Sequence, residues 1–168
     1  MKIKNHQGIS FLELIIYIGI MAIILTSIGA FIVSNRKLEK NNQAINEVEF
    51  QGTQLVRLIT QAVRNSAAVN SPTAGNSAAS LSINTDTAGN NPTVFDLSSG
   101  KLRIKEGSAS AINLNSNQIQ ISNLSFKNLA NTGTKSIIYL KFDVGYVNPG
   151  NLQELTYQKT FYVAAQEH

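Results

Sequence analysis

LIIYIGIMAIILTSIGAFIV, Leu14 to Val33, is 20 residues without a charge or a proline, and its reading decides how the rest of the chain is arranged. At 1.5 Å of rise per residue it spans roughly 30 Å as an α-helix, the thickness of a bilayer's hydrocarbon core, so a membrane-spanning helix is predicted. Gly19, Thr26, Ser27 and Gly29 suit such a helix, because small residues let neighbouring helices approach closely. An ordinary secretory signal has an apolar core of about 7–15 residues followed by a small-residue cleavage site. This stretch is longer, and no convincing site of that kind follows it. Lys2 and Lys4 flank one side, Arg36, Lys37 and Lys40 with Glu39 the other, so the bias of positive charge does not orient the span.

Beyond Val33 the chain turns polar, SNRKLEKNNQ, but keeps a helical rhythm. Ile45, Val48, Gly52, Leu55, Ile59 and Ala62 recur at alternating spacings of three and four, the stripe of an amphipathic helix. Gly52 on that stripe predicts close approach of whatever packs there. No proline precedes Pro72, so one helix from Ser10 to Asn65 is expected. It would be roughly 80 Å long, its first half bare and apolar and its second half covered on one side.

Upstream, Glu13 is the one formal charge between Gly8 and Val33. Ser10 and Glu13 fit a capping box, in which hydroxyl and carboxylate satisfy unpaired amides of the first turn, and the helix dipole favours a negative charge there. That local role does not explain a carboxylate on the membrane side of Gly8, since charges carried into a bilayer cost about 3 kcal/mol and are usually paired and functional. Cleavage after Gly8 would supply a partner, the new ammonium at Ile9, on the same chain or on a neighbouring one.

KNHQ-Gly8, then ISFLELI, then a 20-residue apolar helix resembles the N-terminal signature of type IV pilins and of the pseudopilins of type II secretion systems. The resemblance covers Lys2 to Val33 directly. It is specific because glycine, glutamate and apolar run must all fall in register. It implies a leader, residues 1–8, cut after Gly8 by a prepilin peptidase and methyltransferase, with N-methylation at Ile9 and filament assembly guided by Glu13 pairing with a neighbour's terminal amine. It further implies an inner-membrane assembly platform, membrane lipid before assembly, other pilin or pseudopilin subunits as partners, and a cell-surface or periplasmic filament as destination. Ile9 stands where phenylalanine or methionine is commoner. The proline of many pilin membrane helices and the cysteine pair of many C-terminal loops are missing, which leans toward a minor pilin or a pseudopilin. The alternative is an unprocessed single-pass anchor carrying an extracellular binding module.

The expected fold class is α+β, with segments 9–33 (membrane or filament-core helix), 34–66 (amphipathic continuation), 67–93 (loop) and 94–168 (antiparallel sheet). Residues 66 to 93 are rich in Ala, Ser, Asn, Thr and Gly with two prolines and read as a long loop with at most one short strand around Leu81–Ile83. It serves either as a displayed surface or as a variable connector. VFDLSSGKLRIKEG reads as a hairpin turning at Ser98–Gly100, and INL follows it. QIQISNLSF changes apolar phase between Ile121 and Leu124, which implies a bulge. IIYLKFDVGYV alternates cleanly, with Lys141 and Asp143 on the outer side. NPGN at 148–151 is a turn, and LTYQKTFYVA returns as the partner strand. One antiparallel sheet with a face on the helical stripe is expected.

The chemistry of catalysis is sparse. The 168 residues include no cysteine and two histidines, His6 and His168, at the two ends, so no thiolate, histidine base or metal site is expected. Asp86, Asp96, Glu106, Asp143 and Glu154 show no paired spacing and read as solvated surface charges. Asn123-Leu124-Ser125 matches an N-glycosylation acceptor within a strand. The formal charge of +4 falls to about +2 without Lys2 and Lys4, and the cations are scattered rather than interleaved with aromatics, so nucleic acid is not an expected partner. Neither an enzyme nor a cofactor is expected.

Overall fold

The computed structural model describes residues 10–131, 133–147 and 157–167. Two compact units divide the chain, residues 1–40 and residues 41–168. The helix α1, Phe11–Arg64, begins in the first and ends in the second. Its ends suit its dipole, with Glu13 in the first turn and Arg64 in the last. The ladder starts where the Leu14 amide donates to the Ser10 carbonyl at 3.1 Å. It stops where the Ser66 hydroxyl donates to the Val63 carbonyl at 2.7 Å, which satisfies a carbonyl of the last turn as the chain leaves in an extended conformation.

Within the second unit the helix buries Ala44, Val48, Gln51, Gly52, Leu55, Ile59 and Val63. The expected stripe is present in its middle and displaced at its ends. Ala44 and Val63 are buried where Ile45 and Ala62 were expected, both of which are half-buried. A four-residue row inclines across the helix surface, so a sheet lying along that row selects it over the vertical 3-4 stripe.

Among the described residues the second unit holds nine strands: β1 Ser66–Ser71, β2 Ser77–Ala78, β3 Leu81–Thr85, β4 Thr93–Ser98, β5 Lys101–Glu106, β6 Ile112–Asn113, β7 Ile119–Asn128, β8 Ile137–Tyr146 and β9 Gln158–Gln166. They form two antiparallel sheets, β1-β3-β4-β5-β6 and β2-β7-β8-β9. The α+β layout is as expected, with two corrections. The sheet is two sheets, and the stretch 67–93 is no simple loop. It carries β1, β2, β3 and a short 3-10 turn, Ala88–Asn90. The strand SAAVNS has a composition that does not favour strands; it is extended because β3 lies beside it, tying Val69 to Ile83 in register.

The hairpin β4–β5 turns where expected. Ser98 pairs with Lys101, and Ser99 and Gly100 between them take φ of +50° and +74°, the two positive values that a tight hairpin matching strand twist requires. The predicted bulge is also present. The β7–β8 register slips between Ser122 and Ser125, with Asn123 at φ +52°, so Ile121 and Leu124 both point inward. The two sheets meet through the Ile121 amide, which donates to the Gly100 carbonyl at 2.9 Å, and share one core. Leu81, Ile83, Phe95 and Leu102 of the first sheet join Phe126, Leu140, Phe142 and Val144 of the second, closed by Val48, Leu55 and Ile59 of α1. β8 and β9 pair continuously from Ile137–Gln166 to Gly145–Gln158; the expected turn at 148–151 lies outside the described residues.

Candidate functional site

From Phe11 to Val33 every residue of α1 is exposed. The helix is long and apolar enough to cross a membrane, and none of its most apolar window is buried within the protein. An unpartnered apolar surface of this extent marks contact with lipid or with other protein. Glu13 is the only charged residue on it. Its carboxylate Oε1 accepts a hydrogen bond from the Tyr17 hydroxyl at 2.9 Å, one turn further along. The capping-box reading left this contact unseen, although the four-residue spacing of a carboxylate and a phenol on a helix was its available signal. Gly8 and Ile9, the expected cleavage and methylation positions, lie outside the described residues.

The remaining polar groups of this stretch are spent on its own backbone. Thr26 Oγ1 donates to the Ala22 carbonyl at 2.7 Å and Ser27 Oγ to the Ile23 carbonyl at 2.9 Å, which satisfies both hydroxyls in apolar surroundings. A side chain added at Gly19 or Gly29 would meet nothing within 4 Å. At 100° per residue Gly19, Ala22, Thr26 and Gly29 share one side of the helix, and Glu13 and Tyr17 lie about 180° away. Between Gly19 and Gly29 the helix therefore has a side of small side chains, opposite the side that bears the carboxylate and its phenol.

In the second unit polar contacts secure the helix to the sheets. Gln51, itself buried, accepts the Ser116 amide at 2.9 Å and donates to the Ser116 hydroxyl at 2.5 Å and to Glu47. Glu49 accepts from Lys159 on both carboxylate oxygens at 2.6 Å and from the Tyr157 hydroxyl at 3.0 Å. The Lys159 ammonium holds the Glu49 carboxyl below its ordinary value, and Glu49 raises the Lys159 and Tyr157 values in return. Gly52 lies so close to Phe161 that a Cβ there would sit 2.2 Å from the ring, the close approach its place on the stripe predicts.

Two residues carry roles that sequence reasoning missed. Asn115, buried, accepts the Leu102 amide at 2.8 Å and donates to the Ile119 carbonyl at 3.0 Å, bridging the two sheets with one side chain. Asp143 corrects the reading of the carboxylates as solvated charges. It is buried, accepting from Asn123 Nδ2 and Thr160 Oγ1, each at 2.6 Å. Those bonds, Thr160's first, hold its carboxyl below the ordinary value. Asp96 is paired as well, two-pronged with Arg103 across the β4–β5 hairpin at 2.8 and 2.7 Å. The amide nitrogen of Asn123, the acceptor atom of the glycosylation motif, is thus engaged within the fold.

Among the described residues no group of three or more His, Cys, Asp and Glu side chains could hold a metal ion. The cleft beside α1, about 580 Å³, is lined by Gln43, Asn46, Glu47, Phe50, Gln118 and Tyr146. Its lining carries one carboxylate, Glu47, and one phenol, Tyr146. The built feature of the chain is the apolar face of α1 with its single carboxylate. Comparisons with family models, with curated proteins and with solved structures return no match to this chain.

Proposed function

We propose that this chain is a structural subunit of a type IV pilus-like filament or type II secretion pseudopilus, inserted in the membrane through α1, cut after Gly8 and assembled through the same helix. The observation that carries the reading is the exposed apolar run from Phe11 to Val33 with one carboxylate, Glu13, in its first turn. A permanent anchor gains from that charge only the capping of its first turn, against a cost of about 3 kcal/mol if it is carried into the hydrocarbon. A helix that leaves lipid for a bundle of like helices uses it to accept a neighbour's Ile9 ammonium and so to fix axial register. The small-residue side of the helix supplies the close packing that replaces acyl chains.

The same helix serves the outer domain, where Val48, Leu55 and Ile59 belong to the β-sheet core. One element thus contributes to both the assembling surface and the β-sheet core. Mass spectrometry of the mature protein tests the reading. A chain beginning at methylated Ile9, recovered from sheared filaments, is the expected result. An intact Met1 in all mature material overturns it and leaves a single-pass anchored module.

A further inference from the structure

We propose that Tyr17 is the positioning residue for Glu13: its hydroxyl holds the carboxylate inside the apolar span and leaves the second carboxylate oxygen for the cation that a neighbouring subunit brings. The second half of this inference rests on the filament reading; the contact itself does not.

Between Phe11 and Val33 the side chains with an O–H are Tyr17, Thr26 and Ser27. Thr26 and Ser27 are bonded to the backbone carbonyls of Ala22 and Ile23, and at 1.5 Å per residue they sit about 20 Å along the helix from Glu13. Tyr17 is one turn away and donates to Oε1 at 2.9 Å. A hydrogen bond to an ionised oxygen is among the stronger kinds, and lipid offers no water to replace it.

The chemistry of a phenol sets what this bond does and what it leaves undone. A tyrosine has one O–H, whereas a carboxylate accepts at two oxygens. Tyr17 therefore satisfies Oε1 and orients the group without cancelling its charge. Lysine or arginine at the same position would neutralise Glu13 within its own helix and remove the demand for an external cation. The phenol lowers the cost of waiting in the membrane while the demand persists. It also fixes the side from which the cation must come, since Glu13 and Tyr17 share a face about 180° from Gly19 and Gly29.

Two measurements on the full-length chain test this. In vesicles of phosphatidylethanolamine and phosphatidylglycerol, with the glutamate carboxyl carbons labelled, Tyr17→Phe is expected to move the Glu13 carboxyl ¹³C resonance; an unmoved resonance overturns the contact, whatever the chain's function. In cells co-expressing the wild-type chain, the share of variant recovered in sheared filaments is expected to fall roughly tenfold for Tyr17→Phe, the weight of one hydrogen bond to a charged group. Tyr17→Gln, which restores a donor at the same spacing, is expected to recover most of that loss. In a Glu13→Gln background the Tyr17→Phe change is expected to have no further effect. Equal losses in both backgrounds, or wild-type assembly of Tyr17→Phe, overturn the positioning role. Wild-type chains that keep Met1 and form no filament overturn the filament reading instead, and the resonance still decides the contact.

Discussion

Gly29 and Gly52 belong to one helix and meet opposite surroundings. A Cβ at Gly29 would meet nothing within 4 Å, whereas a Cβ at Gly52 would clash with the Phe161 ring at 2.2 Å. The first half of α1 keeps its apolar surface bare; the second half has its stripe consumed by a sheet. At Gly52 the close neighbour is Phe161 of β9, and at Gly29 the space beside the helix is open. Every buried residue of α1 comes from Ala44 onward, so the helix enters the core only with its second half.

The largest expected effect breaks this contrast directly. Gly52→Leu should destabilise the second unit by about 3 kcal/mol, since Phe161 is stacked on Phe142 with centroids 5.7 Å apart. Gly29→Leu should leave the same unfolding transition unchanged. Denaturant melts of the full chain in detergent, followed through the β-sheet signal, compare the two; equal midpoints would erase the distinction between the halves.

An intermediate effect concerns the carboxylate that steadies β9. Asp143 takes the Thr160 hydroxyl, next to Phe161, and its folded value lies below the ordinary one. Its contribution is therefore fully present above the ordinary aspartate value and is lost as pH falls through the lower folded value. Asp143→Asn should cost about 1–2 kcal/mol at neutral pH by setting an amide donor against one of its two donors. It should also flatten the acid limb of a stability–pH curve, and an acid limb of unchanged slope would remove Asp143 from the account.

The smallest effect is expected at Glu49. Its pair with Lys159 is 36–44% exposed, and exposed pairs contribute little because water and salt screen them. Glu49→Gln should shift the melting midpoint by no more than the scatter between replicates, while Gly52→Leu shifts it plainly. A large shift would mean that charge, rather than the Gly52–Phe161 fit, seats the helix on β9.

The hairpin at Ser98–Gly100, the bulge between Ile121 and Leu124, and the long β8 and β9 strands were legible because each leaves a local mark: a turn pair, a phase change, a period of two. β1 and β2 left none. SAAVNS becomes a strand through β3, and Ser77–Ala78 pairs with Phe126–Lys127 some 50 residues away in the chain. Asp143 looked like an outward charge because its partners, Asn123 and Thr160, come from strands on either side of β8.

By itself the sequence determined the long helix, its apolar first half and the lone carboxylate, since hydropathy, periodicity and missing prolines act within a few turns of one chain. It also placed the Gly52 approach, because a glycine on a buried stripe has one common use. The division into two sheets, the bridging of both by Asn115 and the burial of Asp143 come from tertiary contacts, whereas the Glu13–Tyr17 contact follows from a four-residue spacing on one helix. The tertiary contacts depend on where side chains end in space, and hydrogen bonds such as those of Asp143 at 2.6 Å and Asn115 at 3.0 Å are settled by packing that no spacing in the sequence states.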